Sequence, residues 1–364
     1  LPGDKELYKG RKKRRSWPGV LLIILLVLFV CALLLFYGLQ KYLVYTPGGV
    51  KLELPILQTE TPSTESAAPA SQTDAGLVID KADYSNVEAT AGRDLEAVKA
   101  IYVPASAISA DSVTAAAGRL DKGNALVLEL KPASGQLAWK SSVKEADSYG
   151  LNGSVDLKAV VTAMKDKKIK LVAELSCCVD TLMAQRNTPV ALKTSGGAAY
   201  GDSDGGWIDP YNSEMRQYIV DLSKELISMG FDEILLSNVR HPSVAPSALG
   251  YSQSSSTQVT AASVVASYSM AVTRALKGSG AAVSVVGTRA ALSGAADNQD
   301  GQNTELMLKI FDRVYCYTDA KAYADYMNAC KKYVTVGDVN MRFVPMCSGT
   351  LPDTSCWVLL DSAG

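Results

Sequence analysis

Histidine and phenylalanine are scarce: the 364 residues include one His and five Phe. With a single imidazole and no CxxC pair, the sequence lacks the usual ligand set of a structural or catalytic zinc site. No P-loop and no GxGxxG follows a candidate strand, which argues against a nucleotide cofactor. Charge of one sign is also missing. The 36 Lys and Arg are matched by 37 Asp and Glu, leaving a formal charge of −1, so no broad basic face is implied and nucleic acid is not an expected partner. Asp202 and Asp204 sit close together, but the twelve-residue ligand pattern of a calcium loop is absent. No metal and no cofactor is expected.

What is present is unevenly placed. Lys5, Lys9, Arg11, Lys12, Lys13, Arg14 and Arg15 crowd the start, followed by an uncharged apolar run from Gly19 to Leu39. A bilayer core takes about 20 helical residues to cross, and the basic flank sets the orientation. Residues 1–18 therefore read as a cytoplasmic basic tail and 19–39 as a single transmembrane helix in contact with the lipid bilayer. Everything beyond would be extracytoplasmic, at the cell membrane. A cleaved signal peptide would be shorter and would end in a small-x-small site, which this run lacks. Of seven cysteines, Cys31 lies in the run. The other six are expected to be free and buried, because a domain of this size does not depend on staples.

Residues 40–76 read as a juxtamembrane segment and linker. Gln58 to Gly76 is rich in Ser, Thr, Ala and Pro with no hydrophobic period, so it buries too little apolar area to fold and reads as a disordered stalk. From residue 77 to 364 short apolar runs alternate with helical spacing. Strands are expected at Val98–Pro104, Ala125–Lys131, Lys170–Ser176, Glu233–Ser237, Ala282–Gly287, Arg313–Tyr317, Arg342–Met346 and Cys356–Leu360. Helices are expected at Ser109–Leu120, Asp156–Lys167, Ser213–Met229, Val259–Lys277 and Asp319–Lys332. Such alternation predicts parallel strands with crossover helices. Eight of them predict an α/β fold closed as a (β/α)8 TIM-like barrel, with the short connection Ser348–Ser355 as its weakest link.

Trp207-Ile-Asp-Pro-Tyr211, Gly230-Phe-Asp-Glu-Ile234 and Val239-Arg-His-Pro242, together with Leu126–Ser141 and Lys168–Asp180, resemble an uncharacterised bacterial family of glycoside hydrolase-like domains, distantly similar to α-amylase-like barrels. The resemblance covers most of residues 100–242 and implies a barrel acting on carbohydrate. It also implies a rewritten site. The family's fourth strand ends Asp-Tyr-Val-Arg-Phe-Pro, where this chain has Ser237-Asn238-Val239-Arg240-His241-Pro242. Its third strand carries Arg where this chain has Glu174, and its second carries Asp where this chain has Glu129.

Glycoside hydrolysis employs two carboxyl groups, which in a barrel project from the C-terminal ends of strands. Glu174 is the first candidate acid or base and Glu129 its partner. Strand alternation places Lys131 on the face of Glu129 and Ser176 on that of Glu174, so a lumenal Glu–Lys–Glu network is the competing reading. Asp232 and Glu233 lie at the other end of their strand and read as structural. Candidate substrate-binding residues are Lys131, Trp207, Asp209, Ser237, Asn238, Arg240, His241 and Arg289. Trp207 could stack on a sugar ring or pack its loop, and Asp209 could bind hydroxyls or open the next helix. The sequence thus points to a membrane-anchored, carbohydrate-active barrel, either a hydrolase or a glycan-binding relative, whose partner is a polysaccharide or cell-wall glycan. The alternative is a structural or assembly protein of the cell envelope that uses the barrel as an interaction platform.

Overall fold

The computed structural model describes residues 43–46, 49–52, 84, 87–89, 93–252, 259–294, 299–334 and 337–360. The basic tail, the 19–39 span and the Ser/Thr/Pro-rich stalk lie outside them. Among the described residues no helix is long and apolar enough to cross a membrane. The chain divides into Leu1–Gly76 and Leu77–Gly364. In the first unit, Leu43–Thr46 and Gly49–Leu52 pair antiparallel, Leu43 opposite Leu52, where no regular structure was expected.

The second unit is the barrel. Its strands are β1 (Lys99–Val103), β2 (Ala125–Lys131), β3 (Lys170–Ser176), β4 (Glu233–Ser237), β5 (Ala282–Val286), β6 (Val314–Tyr317), β7 (Phe343–Cys347) and β8 (Trp357–Leu360). Each pairs in parallel with its sequence neighbour and β8 returns to β1, so the sheet closes. Strands buried on both faces need near-continuous apolar runs, and LVLEL in β2 and EILL in β4 supply them. The connection after β7 forms no helix, as its length required.

Of the helices α1 (Ala110–Ala117), α2 (Leu157–Asp166), α3 (Ser213–Met229), α4 (Ala261–Leu276), α5 (Thr304–Ile310) and α6 (Tyr323–Lys331), all but α6 start where a side chain takes up an orphan N–H group. Asp156 accepts from the Ala159 N–H, Asn212 from that of Met215, and Thr260 and Ser263 form a reciprocal capping box. Gly230 ends α3 at φ 111°, a conformation costly for any residue with a Cβ. α5 was not anticipated, because seven residues are too few to display a helical period.

Two apolar cores follow from strand alternation. One side of the sheet packs against the helices through Leu126, Leu128, Leu175, Ile234 and Leu236. The other fills the lumen with Ala100, Val127, Val172, Leu235, Tyr315, Val344 and Val358. At the N-terminal end of the lumen, Glu233 meets the Arg313 guanidinium at 2.6 Å and accepts from Ser284 Oγ at 2.6 Å and the Tyr315 hydroxyl at 2.9 Å. That network is structural and far from the mouth. All six cysteines of this unit are buried and free.

Candidate active site at the barrel mouth

The C-terminal ends of β2 and β3 bring two carboxyl groups together. Glu129 lies directly opposite Glu174 in the strand register, and parallel neighbours lie about 4.8 Å apart. The Glu129 carboxylate accepts a hydrogen bond from the Ala105 N–H at 2.9 Å. Glu174 is 4% exposed. Burial, then the adjacent Glu129 charge, push its carboxyl up to about 7, against hydrogen bonds from Ser237 and Tyr102 that favour the ionised form. One of its oxygens, Oε2, has no partner. A buried acid that holds its proton near neutral pH is suited to donating that proton.

Lys131 does not join this pair, contrary to the expected Glu–Lys–Glu network. A bulge between Glu129 and Lys131 sets Lys131 opposite Leu175 instead of Ser176, on the helix-facing side of the sheet. There its ammonium pairs with Asp180 at 2.7 Å and donates to the Ser176 carbonyl at 2.7 Å. Both side chains of the pair are fully buried, so Lys131 is not positioned to touch a substrate. Asp180 also accepts from the Met183 N–H and starts the helix Thr181–Arg186. Gly135 lies against it at φ 92°, where a Cβ would come within 2.0 Å of Asp180 Oδ1.

Two tyrosines complete the carboxyl site, and sequence reasoning missed both. Tyr102, at the end of β1, hydrogen-bonds with Glu174 and with Tyr317 at the end of β6. Tyr317 is 37% exposed, an open aromatic surface at the mouth. Their signal lay in the same alternation that located Glu174, because each sits two residues beyond a lumenal position, Ala100 and Tyr315 respectively.

Beside this group, above β4 to β6, lies a cavity of about 190 Å³ lined by Asn238, Arg240, Val286, Gly287, Thr288, Arg289, Gln302 and Tyr317. Three of the expected binding residues, Asn238, Arg240 and Arg289, therefore converge. Asn238 adopts φ 52°, a left-handed turn that Asn tolerates better than most residues, and its amide donates to Ser176 Oγ at 2.9 Å. Arg240 pairs with Asp204 at 2.8 Å, and the Arg289 Nε donates to the Tyr317 carbonyl at 2.8 Å. Gln302 fixes the wall, donating to the carbonyls of Val239 and Val286 while accepting from the Thr288 N–H. Ser237 is buried and reaches Glu174 instead of the cavity.

The remaining expected residues are built into the scaffold. Trp207, for which stacking on a sugar and packing of its loop were both open, is fully buried, with the Arg240 guanidinium 4.9 Å above its ring, which is the packing role. Asp209 is buried and accepts from the N–H groups of Tyr211 and Ser252 at 2.9 and 2.6 Å, which organises the approach to α3. His241 is buried, its ring bonded to the Pro242 carbonyl at 2.7 Å and the Tyr251 hydroxyl at 2.5 Å. Burial holds it below the usual histidine range, with the Pro242 carbonyl acting the other way. Among the described residues no cluster of side chains suits a metal ion.

Comparison with known proteins agrees with this architecture. The PgaB (BpsB) glycoside hydrolase domain from Bordetella bronchiseptica superimposes over 74% of this chain and 94% of its own, at a TM-score of 0.53 and 10% identity. A hypothetical protein from Ruminiclostridium thermocellum is 20% identical over 51% of this chain and 96% of its own, with a TM-score of 0.45. At 10% identity the Bordetella likeness speaks to the fold alone. No curated protein sequence matches. A family described as "Putative glycosyl hydrolase domain" matches residues 100–335, which is most of the barrel, and the chain belongs to that family.

Proposed function

We propose that the barrel binds a glycan across its C-terminal mouth and hydrolyses it with Glu174 as proton donor. The observation that carries this reading is the carboxyl pair: a buried acid with a free oxygen, kept protonated near neutral pH by its surroundings and by Glu129. Glu129 supplies the second carboxyl that glycoside hydrolysis calls for. Tyr317 offers the exposed ring on which a sugar face can pack, in the part expected of Trp207. Asn238, Thr288 and Gln302 bring polar groups to the same wall.

The test is release of reducing ends from cell-wall and capsular polysaccharides by the full chain, compared with Glu174→Gln. Loss of at least a hundredfold in kcat/KM on substitution is expected, in line with general acid catalysis. Undiminished turnover would remove Glu174 from the chemistry. A second reading has its own support. Ser237 stands where a carboxylate would be expected at the end of β4, so the domain would retain glycans without cleaving them. Retention on a glycan array that depends on Tyr317, with no product formed, would select it.

The apolar run at 19–39 and its basic flank support anchorage in the cell membrane with the barrel outside. Protease protection of the N-terminus, but not of the barrel, in sealed cells is the expected outcome.

A further inference from the structure

The cavity above β4 to β6 differs from a plain sugar-binding wall in its charge. Two guanidinium groups, Arg240 from the turn after β4 and Arg289 from the turn after β5, line a space of about 190 Å³. No carboxylate lines it. Arg240 has one acidic partner, Asp204, whose side chain is half exposed, and such a pair holds weakly in water. Arg289 donates through Nε to the Tyr317 carbonyl. Its charge is felt by the Asp319 carboxylate, but among the described residues no carboxylate lies within ion-pair distance of it. The guanidinium fork matches a carboxylate or a phosphate with two parallel hydrogen bonds. The remaining wall includes two amides, Asn238 and Gln302, the Thr288 hydroxyl and the open Tyr317 ring, which suit a sugar and not a bare ion.

We infer that this cavity takes a negatively charged sugar unit, its acidic group held between Arg289 and Arg240 and its ring against Tyr317. The inference rests on the glycan-handling reading above and adds the substrate class. The volume, below the roughly 300–1,000 Å³ usual for larger ligands, limits the enclosed portion to about one sugar unit. Residues beyond it would lie over Glu129 and Glu174, because Tyr317 borders the cavity and reaches Glu174 through Tyr102. A carboxylate sugar and a phosphorylated sugar present the same chemistry to the fork, so both belong in the test.

Calorimetric titration of the full chain would use four probes: an oligouronate, a phosphorylated oligosaccharide, a neutral oligosaccharide of equal length, and inorganic phosphate. At least one of the two acidic oligosaccharides is expected to bind tenfold or more tighter than the neutral one, with the advantage shrinking as salt rises. Arg289→Gln and Arg240→Gln should each reduce that acidic-over-neutral preference, and Arg289→Lys should restore part of it. Thermal melting verifies that each variant is folded. Equal affinity for acidic and neutral saccharides would overturn the inference while leaving the glycan reading intact. Inorganic phosphate binding as tightly as the acidic oligosaccharides would make this an anion site and overturn the saccharide assignment. Failure of every saccharide to bind would defeat both readings together.

Discussion

At Glu174 the folded chain keeps a proton that the unfolded chain releases earlier. The group moves from an ordinary 4.5 to about 7 on folding, so the folded state binds more protons between those values. Its contribution to stability is therefore whole below about pH 4.5 and is lost as pH climbs through 7, amounting to about 3 kcal/mol at most. Glu174→Gln should remove this slope and unfold at higher denaturant than the native chain at pH 8, with little difference at pH 4. Parallel curves at both pH values would contradict the assignment. If Glu174 is the proton donor, kcat/KM should decline above pH 7. Because the Glu129 charge helps hold that proton, Glu129→Gln should shift the alkaline limb to lower pH. An unmoved limb would show that the two carboxyls are not coupled. The buried pair of Lys131 and Asp180 offers a second check. Lys131→Met strands a carboxylate in the core and should cost about 3–5 kcal/mol. Adding Asp180→Asn, which keeps the oxygen that caps the following helix, should return most of it in urea unfolding.

Among the elements, the loop after β2 shows how local order is imposed from a distance. Glu225, on α3, accepts from Trp139 Nε1 at 3.1 Å, from Ser141 Oγ at 2.6 Å, and from both the N–H and Oγ of Ser142 at 2.6 Å. Burial raises its carboxyl, but these donors more than offset that and hold it below the ordinary range. Glu225→Ala should destabilise by about 1–3 kcal/mol and speed amide exchange in residues 139–143 ahead of the rest of the barrel. Uniform exchange would deny the loop this anchor. Element identity was largely legible, because β2, β3, β4 and α3 run as their hydrophobic periods indicate. The bulge in β2 was not: a one-residue irregularity leaves no mark in alternation, and it is why Lys131 was assigned to the wrong face. The choice between stacking and packing for Trp207, and the burial of His241, were not legible for a related reason. Chain position says that a residue follows a strand, and tertiary packing alone decides whether its ring is covered.

For the molecule as a whole, closure depends on the shortest links. β8 joins β7 through two residue pairs and β1 through four. Deletion of residues 357–364 should expose two sheet edges and replace one cooperative unfolding transition with a broad, dye-binding one. A sharp transition in the truncated chain would mean that the barrel tolerates an open seam. The eightfold count was legible because each strand is apolar on both faces. The site was legible only in part. Glu129, Glu174, Asn238, Arg240 and Arg289 could be found from strand ends; alternation also places Tyr102 and Tyr317 on the lumenal face, but their contact with Glu174 emerges only once the ring closes.

The displaced lysine of β2 has one more effect. Had its ammonium stayed between the two glutamates, it would have held both as anions permanently, since a tethered counter-charge does not leave. A proton now carries out that neutralisation, and in the proposed mechanism it is this proton that is handed to a leaving group and recovered from water. The irregular turn of the ladder is what keeps the acid exchangeable.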